Sequence, residues 1–169
     1  MARLLDLPGL YSLTPHSPDE VIAREVLMGL RSDTPAPDVI VNVVDASNLE
    51  RNLYLTSQLL DLGLPVVIGL TMMDSLSKEG VTVYPDVLAK EIGVPIFPII
   101  ASRREGLPDL LSGLRTTGSN TAPAPAWKVP EAVAKDLAIL QEALTQEQGL
   151  STRLAFAESI SLLMLLLGT

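Results

Sequence analysis

The chain has 169 residues, a mass of 18.1 kDa and no cysteine, and 12 Lys and Arg against 20 Asp and Glu give it a net charge of −8. That charge argues against nucleic acid as a partner, since binding it requires clustered positive charge, and without cysteine there is no disulfide framework or thiolate metal site. The longest apolar run, residues 162–167, is far shorter than the roughly 20 residues of a membrane-spanning helix, so no segment is predicted to cross a membrane.

The first predicted strand covers residues 3–7 and runs into Asp6-Leu7-Pro8-Gly9. A nucleotide-switch loop needs a carboxylate that reaches a hydrated Mg²⁺ and a glycine whose bare backbone approaches a terminal phosphate. In this interpretation Asp6 holds Mg²⁺ and the Gly9 amide meets the γ-phosphate. The alternative is an ordinary turn, because Asp and Gly both favour turns.

A phosphate-binding loop of the form G-x-x-x-x-G-K-[ST] normally precedes such a switch loop. Only five residues lie before Asp6, and the motif is absent from the chain. We therefore expect the sequence to begin in the middle of a GTPase fold, and we expect these 169 residues alone to bind nucleotide weakly.

Strand-length apolar runs then alternate with amphipathic helical patterns. Further strands are predicted at residues 39–44, 66–70 and 95–100, and their lack of polar alternation is typical of strands buried on both faces of a parallel sheet. Helices are predicted at residues 17–30, 47–63, 84–93 and 107–114. This alternation indicates right-handed crossovers on a parallel sheet.

Two of the predicted helices begin with a capping box. Ser17 precedes Pro18 at the first helical position and Glu20 at the third, and Ser47 stands in the same relation to Glu50. For residues 45–47 we favour strand exit plus N-cap over a functional role.

The composition changes after residue 115. Residues 116–130 are rich in Pro, Ala, Ser and Thr and predict a linker, and residues 131–148 and 151–167 predict two helices. The predicted division is therefore a sheet domain at residues 1–115, a linker at 116–130 and the start of a helical domain at 131–169.

Ligands of α/β folds bind at the carboxyl ends of the strands, which directs attention to two further loops. Asp74 could accept hydrogen bonds from N1 and the exocyclic amine of guanine, and Met72 could lie on the base. Ala101 and Ser102 would offer backbone amides to O6. The alternatives are core filling by Met72, a turn capped by Asp74, and a solvated surface pair at residues 103–104.

Three stretches carry a specific resemblance: DLPGLYSLTPHSPDEVIAREVL, DVIVNVVDASNLERNLYLTSQLLDLGLPVVIGLTMMD and GVPIFPIIASRREGLPDLL. Together they resemble the cytoplasmic G domain of the bacterial ferrous iron transporter FeoB. The segment DASNLERNLYLT, residues 45–56, is the most diagnostic, because general GTPases share the loops but not this helix. The tail from residue 127 resembles the start of the helical domain that follows the G domain in that family.

The resemblance implies an α/β fold of the P-loop GTPase type (TRAFAC class), with a parallel sheet incomplete at its N-terminus and a helical segment behind it. It also implies GTP or GDP and Mg²⁺ as cofactors, slow GTP hydrolysis that regulates Fe²⁺ uptake, and a membrane domain as partner at the cytoplasmic face of the bacterial inner membrane. Residues 10–17 match the second switch region, whose order should depend on the γ-phosphate. By position the implied site residues are Asp6, Leu7, Pro8, Gly9, Thr71, Met72, Asp74, Ala101, Ser102 and Arg103.

Thr71 departs from the family pattern, which usually has Asn there. The hydroxyl still bonds to backbone but replaces an amide that ties neighbouring loops to the base, and we expect a loss of roughly 1–3 kcal/mol in affinity. An alternative function is a degenerate interaction module that pairs through its sheet edge with another protein or with a second copy. An unrelated α/β enzyme has little support, because no nucleophile and base pair is evident.

Overall fold

The computed structural model describes residues 3–15, 17–61, 63, 65–78, 80–118 and 131–148, together with residues 155, 158, 159 and 162. Three parallel strands, in the spatial order β1-β2-β3, form one sheet in this part of the chain: β1 (Ile40–Asp45), β2 (Val66–Thr71) and β3 (Ile96–Pro98). The helices are α1 (Pro18–Leu27), α2 (Leu49–Asp61), α3 (Met73–Lys78), α4 (Pro85–Ile92), α5 (Leu107–Thr117) and α6 (Glu131–Gln148). The predicted α/β architecture with a parallel sheet is confirmed.

The core lies on both faces of β2, the central strand. On one face, Ile68 and Leu70 are fully buried in a cluster that includes residues of α1, α2 and α3. On the other face, Val67 packs with Ile99, which follows β3, and with Leu110 of α5. Side chains of successive strand residues point to opposite faces. A strand covered on both faces therefore reads as the continuous apolar run that the sequence contains.

The predicted strand at residues 3–7 is wrong. These residues adopt no regular secondary structure, and Leu4 is 89% exposed. A strand requires a neighbouring strand to pair its backbone groups, and none lies beside this segment among the described residues. Leu7 and Leu10 hold the segment to the molecule by packing against the core.

The capping box at the start of α1 is confirmed. Ser17 Oγ accepts from the Glu20 amide at 3.3 Å, and the Glu20 carboxylate accepts from the Ser17 amide at 3.1 Å. The helix nevertheless ends at Leu27 rather than near residue 30, because the chain turns through Gly29 at φ +67°.

The start of α2 differs in detail from the prediction. A 3₁₀ turn (Ala46–Asn48) precedes the helix, and its cap is Asp45, whose carboxylate accepts from the amide of Ser47 at 2.8 Å and from its hydroxyl at 2.6 Å. Strand exit plus N-cap is thus confirmed for this segment, whereas the box predicted at Ser47 is wrong. The Ser47 hydroxyl donates to Asp45 and serves as part of the cap, not as its acceptor.

Most of the remaining helices and strands form where the sequence predicts them, but several begin or end at other residues. Helix α4 closes at Gly93 in the left-handed conformation, as predicted. Helix α5 extends to Thr117, past the predicted end at residue 114, so the first residues of the predicted linker are helical. Strand β3 is shorter than predicted, and α3 was not predicted.

The C-terminal part contains α6, as predicted, and residues 155, 158, 159 and 162 are helical. Arg24 of α1 forms an ion pair with Glu158, and Ala155 is fully buried. Most of the predicted linker and of the second predicted helix lie outside the described residues. None of the helices in the described part is both long and apolar enough to cross a membrane.

A buried polar pair joins β1 to α2. Asn42 Nδ2 donates to Thr56 Oγ1 at 2.8 Å, and Thr56 donates to the Asn52 carbonyl at 3.2 Å. Asn42 is 8% exposed and Thr56 1%. A buried amide without an acceptor is costly, so this pair makes the packing of α2 on β1 specific.

Thr56→Val is expected to lower the free energy of unfolding by about 1–3 kcal/mol, because it leaves the Asn42 amide unsatisfied while preserving side-chain volume. Urea denaturation of Thr56→Val, Asn42→Leu and the double variant would measure the coupling. The double variant should cost less than the sum of the two single ones, and strictly additive costs would show that the hydrogen bond contributes nothing.

Candidate guanine site at the carboxyl ends of the strands

Thr71 ends β2 and braces it against β1. It lies opposite Asp45 in the parallel register, and its Oγ1 donates to the carbonyl oxygen of Val44 at 3.1 Å in a partly buried position. This bond holds the ends of the two strands together at the point where the ladder stops. The predicted ability of Thr71 to bond to backbone is confirmed, with Val44 as its acceptor.

Met72 turns the chain out of the sheet in a left-handed conformation, at φ +62°. Non-glycine residues adopt this conformation at a cost and usually where surrounding structure imposes it. The Met72 carbonyl accepts from the amides of Ser75 at 3.1 Å and Leu76 at 3.3 Å, which begins α3. Asp74 therefore lies in the first turn of a helix, half-buried, rather than capping one from outside.

Of the two consecutive methionines, Met73 fills the core and Met72 does not. Met73 packs against the core cluster, whereas Met72 is 45% exposed. The flexible thioether side chain of Met72 is thus accessible at the sheet edge, as a base-contacting side chain must be.

The loop after β3 runs alongside the end of β2. The Ile99 amide donates to the Leu70 carbonyl at 2.7 Å, and a 3₁₀ turn (Ala101–Arg103) follows. Ile100 and Glu105 close the loop by a mutual antiparallel bridge. This arrangement places the Ala101–Arg103 turn beside the exit of β2.

The hydrogen bonds of the turn itself use its later amides and not its first two. The amides of Arg103 and Arg104 donate back to Ile100 and Ala101, at 3.0 and 3.2 Å. Within the described ranges, no acceptor is found for the amides of Ala101 and Ser102, and both residues are exposed. Two small residues with available N–H groups are what the sequence predicted for contact with a base oxygen. The Arg103 side chain forms an exposed 3.9 Å ion pair with Glu105.

Two of the three predicted loops follow neighbouring strands of the sheet, β2 and β3, whereas the third follows no strand. Asp6, Pro8 and Gly9 are exposed, and in the part of the chain that the structure describes no hydrogen bond joins them to the other two loops. The reason is that residues 3–7 form no strand, so Asp6 does not stand at a strand end. Leu7 alone of this motif packs inward.

Residues 10–15, predicted as part of a second switch region, lie along α2. The Arg51 guanidinium stands 3.5 Å from the centroid of the Tyr11 ring, and the Leu13 amide donates to Gln58 Oε1 at 2.8 Å. Leu13 is 7% exposed. Among the described residues, the segment is thus held by the buried side chain of Leu13, the partly buried side chain of Leu10, the hydrogen bond to Gln58 and the cation–π contact with Arg51.

Sequence reasoning missed the residues that shape these loops. Gly106 has φ +78°, and a Cβ built on it would meet the Pro98 carbonyl oxygen at 1.9 Å. Arg104 is left-handed at φ +57°. Gly106 is detectable in principle, because it directly precedes the Leu107-Pro108 helix start, whereas nothing in the side chain of Arg104 signals its conformation.

The chemistry of the two adjoining loops is complementary to one edge of a purine. Asp74 carries only acceptors when ionised, and the Ala101 and Ser102 amides carry only donors. Guanine presents two donors, N1–H and the exocyclic amine, beside the acceptor O6. A parallel sheet with crossover helices and polar loops at its carboxyl edge is the architecture of nucleotide-binding α/β domains, the class to which P-loop GTPases belong.

Comparison with known proteins narrows this class to one family. The family model described as "Ferrous iron transport protein B" matches residues 1–114. The chain belongs to this family and corresponds to its cytosolic G domain.

Two curated relatives illustrate the match. The chain is 47% identical over 112 residues to the Fe(2+) transport protein A/Fe(2+) transporter FeoB fusion protein of Porphyromonas gingivalis, and 45% identical over 108 residues to the Fe(2+) transporter FeoB of Escherichia coli K12. These alignments cover 66% and 62% of the chain. Each spans only 13% of the relative's length.

Solved structures agree in fold. The cytosolic domain of L. pneumophila FeoB superposes with a TM-score of 0.81 at 36% identity, over 94% of this chain and 65% of that one. An mGMPPNP-bound NFeoB from S. thermophilus gives 0.76 at 36% identity, over 93% and 56%. A GDP-bound variant of the S. thermophilus protein gives 0.78 at 37% identity, over 93% and 58%.

Proposed function

We propose that this chain contributes the guanine-binding half of the G domain of a FeoB-type ferrous iron transporter. The observation that carries the proposal is that Asp74 and the Ala101–Arg103 turn follow two hydrogen-bonded neighbouring strands, β2 and β3, so that an acceptor carboxylate and two donor amides share the carboxyl edge of one sheet. The GDP- and GMPPNP-bound relatives of the same fold support it.

In the whole transporter, GTP would bind at this edge and be hydrolysed slowly, and its state would regulate Fe²⁺ uptake through a membrane domain. The chain would then work at the cytoplasmic face of the bacterial inner membrane. Residues 10–15, which lie along α2, would change their order with the γ-phosphate.

Mg²⁺ enters the proposal through Asp6. Nucleotide-bound Mg²⁺ takes one or two carboxylates together with phosphate oxygens and water, so a single exposed carboxylate beside a glycine fits this role. When bound, the ion would neutralise phosphate charge. Asp6 would hold it through water, and the open backbone at Gly9 leaves room for a phosphate, because a Cβ there would meet nothing within 4 Å.

The affinity of these 169 residues for nucleotide should be weak, because they contain no G-x-x-x-x-G-K-[ST] loop to hold the phosphates. Millimolar GDP is expected to shift the NMR amide signals of Asp74, Ala101 and Ser102, and ADP to leave them unchanged. Equal responses to the two nucleotides would refute guanine recognition. Micromolar affinity for GDP by isothermal titration would refute the proposed weakness.

A second candidate, a protein-interaction module, is favoured by the edge of the sheet. Strand β1 has β2 on one side only among the described strands, and Val43 on it is 62% exposed. An unpaired apolar strand edge is a template for another chain. Light scattering that finds a strict monomer across a hundredfold range of concentration would count heavily against self-pairing.

A further inference from the structure

The hydroxyl hydrogen of Thr71 is already used within the sheet. Oγ1 donates it to the Val44 carbonyl at 3.1 Å, and a threonine hydroxyl has only one hydrogen to give. Towards a ligand, Thr71 therefore presents lone pairs alone.

The side chains that follow Thr71 add no donor. Met72 and Met73 carry thioethers, which are weak acceptors, and the ionised carboxylate of Asp74 is an acceptor as well. All side chains from Thr71 to Asp74 thus offer acceptors and no donor. Of these four side chains, only Thr71 carries a polar hydrogen, and that hydrogen is donated to the Val44 carbonyl of β1.

Guanine has two edges that differ in this respect. Its Watson–Crick edge carries the donors N1–H and exocyclic amine beside the acceptor O6, whereas the adjoining edge carries the acceptors O6 and N7. Side chains that only accept can bind the first edge and cannot bond to N7. In the neighbouring turn the amides of Ala101 and Ser102 match the single acceptor O6. The side-chain donors of that turn are the exposed Ser102 hydroxyl and the Arg103 guanidinium, which is paired with Glu105 at 3.9 Å.

Resting on the proposed function, we propose that this chain reads guanine through N1, the exocyclic amine and O6, and does not read N7. Thr71 is the specificity-determining residue, because its bond to Val44 removes the only side-chain donor of the Thr71–Asp74 segment. The chain should consequently accept a nucleotide whose N7 is replaced by C–H.

The test compares GDP, 7-deaza-GDP and inosine diphosphate by NMR titration of the unmodified chain, followed at the amides of Ala101 and Ser102. The affinities for GDP and 7-deaza-GDP should agree within about twofold, and inosine diphosphate, which lacks the amine that Asp74 accepts from, should bind about tenfold more weakly or worse. A preference of about fivefold or more for GDP over 7-deaza-GDP would overturn the proposal.

Variants at position 71 separate the contribution of the hydroxyl. Thr71→Asn restores side-chain N–H groups and should create a preference for GDP over 7-deaza-GDP of about threefold or more, whereas Thr71→Ser should behave as the unmodified chain. An unchanged ratio of the affinities for GDP and 7-deaza-GDP in Thr71→Asn would refute the assignment to Thr71.

If none of the three nucleotides shifts the signals, the guanine site itself fails and this proposal fails with it. A normal response to GDP with a strong preference over 7-deaza-GDP would overturn the N7 proposal alone.

Discussion

Gly106→Ala is expected to lower the free energy of unfolding by about 2–5 kcal/mol, the sum of a left-handed backbone penalty and a severe overpacking penalty. Gly106 stands at φ +78°, and its Cβ would lie 1.9 Å from the Pro98 carbonyl oxygen and 3.0 Å from the carbonyl carbon. Backbone atoms cannot swing aside as a side-chain end can. The substitution must therefore separate the start of α5 from the end of β3.

Gly93→Ala is the matched control. Gly93 has a similar left-handed backbone, φ +83°, but a Cβ there would meet nothing within 4 Å. It should cost only the backbone penalty, about 1–2 kcal/mol. Urea denaturation of both variants measures the difference, and equal costs would show that the approach of Gly106 to Pro98 does not matter.

The Gly106→Ala substitution should disturb the candidate site, because Gly106 directly follows the Ile100–Glu105 bridge that closes the loop carrying Ala101 and Ser102. Amide signals of these two residues should shift in Gly106→Ala and stay in place in Gly93→Ala. If Gly106→Ala is destabilised but leaves the amide signals of Ala101 and Ser102 unchanged, the conformation of the turn does not depend on Gly106 and the prediction is wrong.

The central elements of the fold follow directly from the sequence. Strand β2 and helix α2 were predicted because burial on both faces produces an unbroken apolar run and burial on one face produces a helical stripe. The cap at Ser17 was equally predictable, since serine, proline and glutamate at fixed offsets satisfy the free amides of a helix start. Such signals are local, and the structure adds little to them.

The failures have a different cause. Residues 3–7 have the composition of a strand, but a strand exists only in combination with a neighbour, and no local pattern supplies one. The left-handed conformation of Met72 is likewise invisible in its side chain, because the structure around the end of β2 imposes it. The bond from Thr71 to Val44 depends on the register of two strands 27 residues apart in the chain, which no single segment encodes.

For the proposed site, the sequence therefore predicts which residues follow the strands but not how the loops that carry them are arranged. Asp74, Ala101 and Ser102 were identified from their positions behind two strands, and the structure places them at one edge. Asp6 was identified in the same way and stands apart. The difference between the two outcomes is the pairing of strands: β2 and β3 are neighbours, and the segment before Asp6 has no strand beside it.

Asp74→Asn is expected to reverse the base preference of the chain, from guanine to xanthine. The Asp74 carboxylate accepts from both N1–H and the exocyclic amine in the proposed site, whereas an asparagine can accept from N1–H but places its own N–H against the amine. Xanthine carries an oxygen in place of that amine, so the asparagine amide can donate to it. The ratio of the affinities for GDP and xanthosine diphosphate should change by about 100-fold or more, as expected where buried polar groups gain or lose a partner.

Competition between the two nucleotides, followed by NMR at the amides of Ala101 and Ser102, measures this ratio without requiring tight binding. Asp86→Asn is the matched control, because it makes the same chemical change at an exposed carboxylate in the first turn of α4. The control should keep the preference for GDP. If Asp74→Asn also keeps the preference for GDP, Asp74 does not contact the base. The remaining role of its carboxylate in the first turn of α3 is then to stabilise the positive end of the helix dipole.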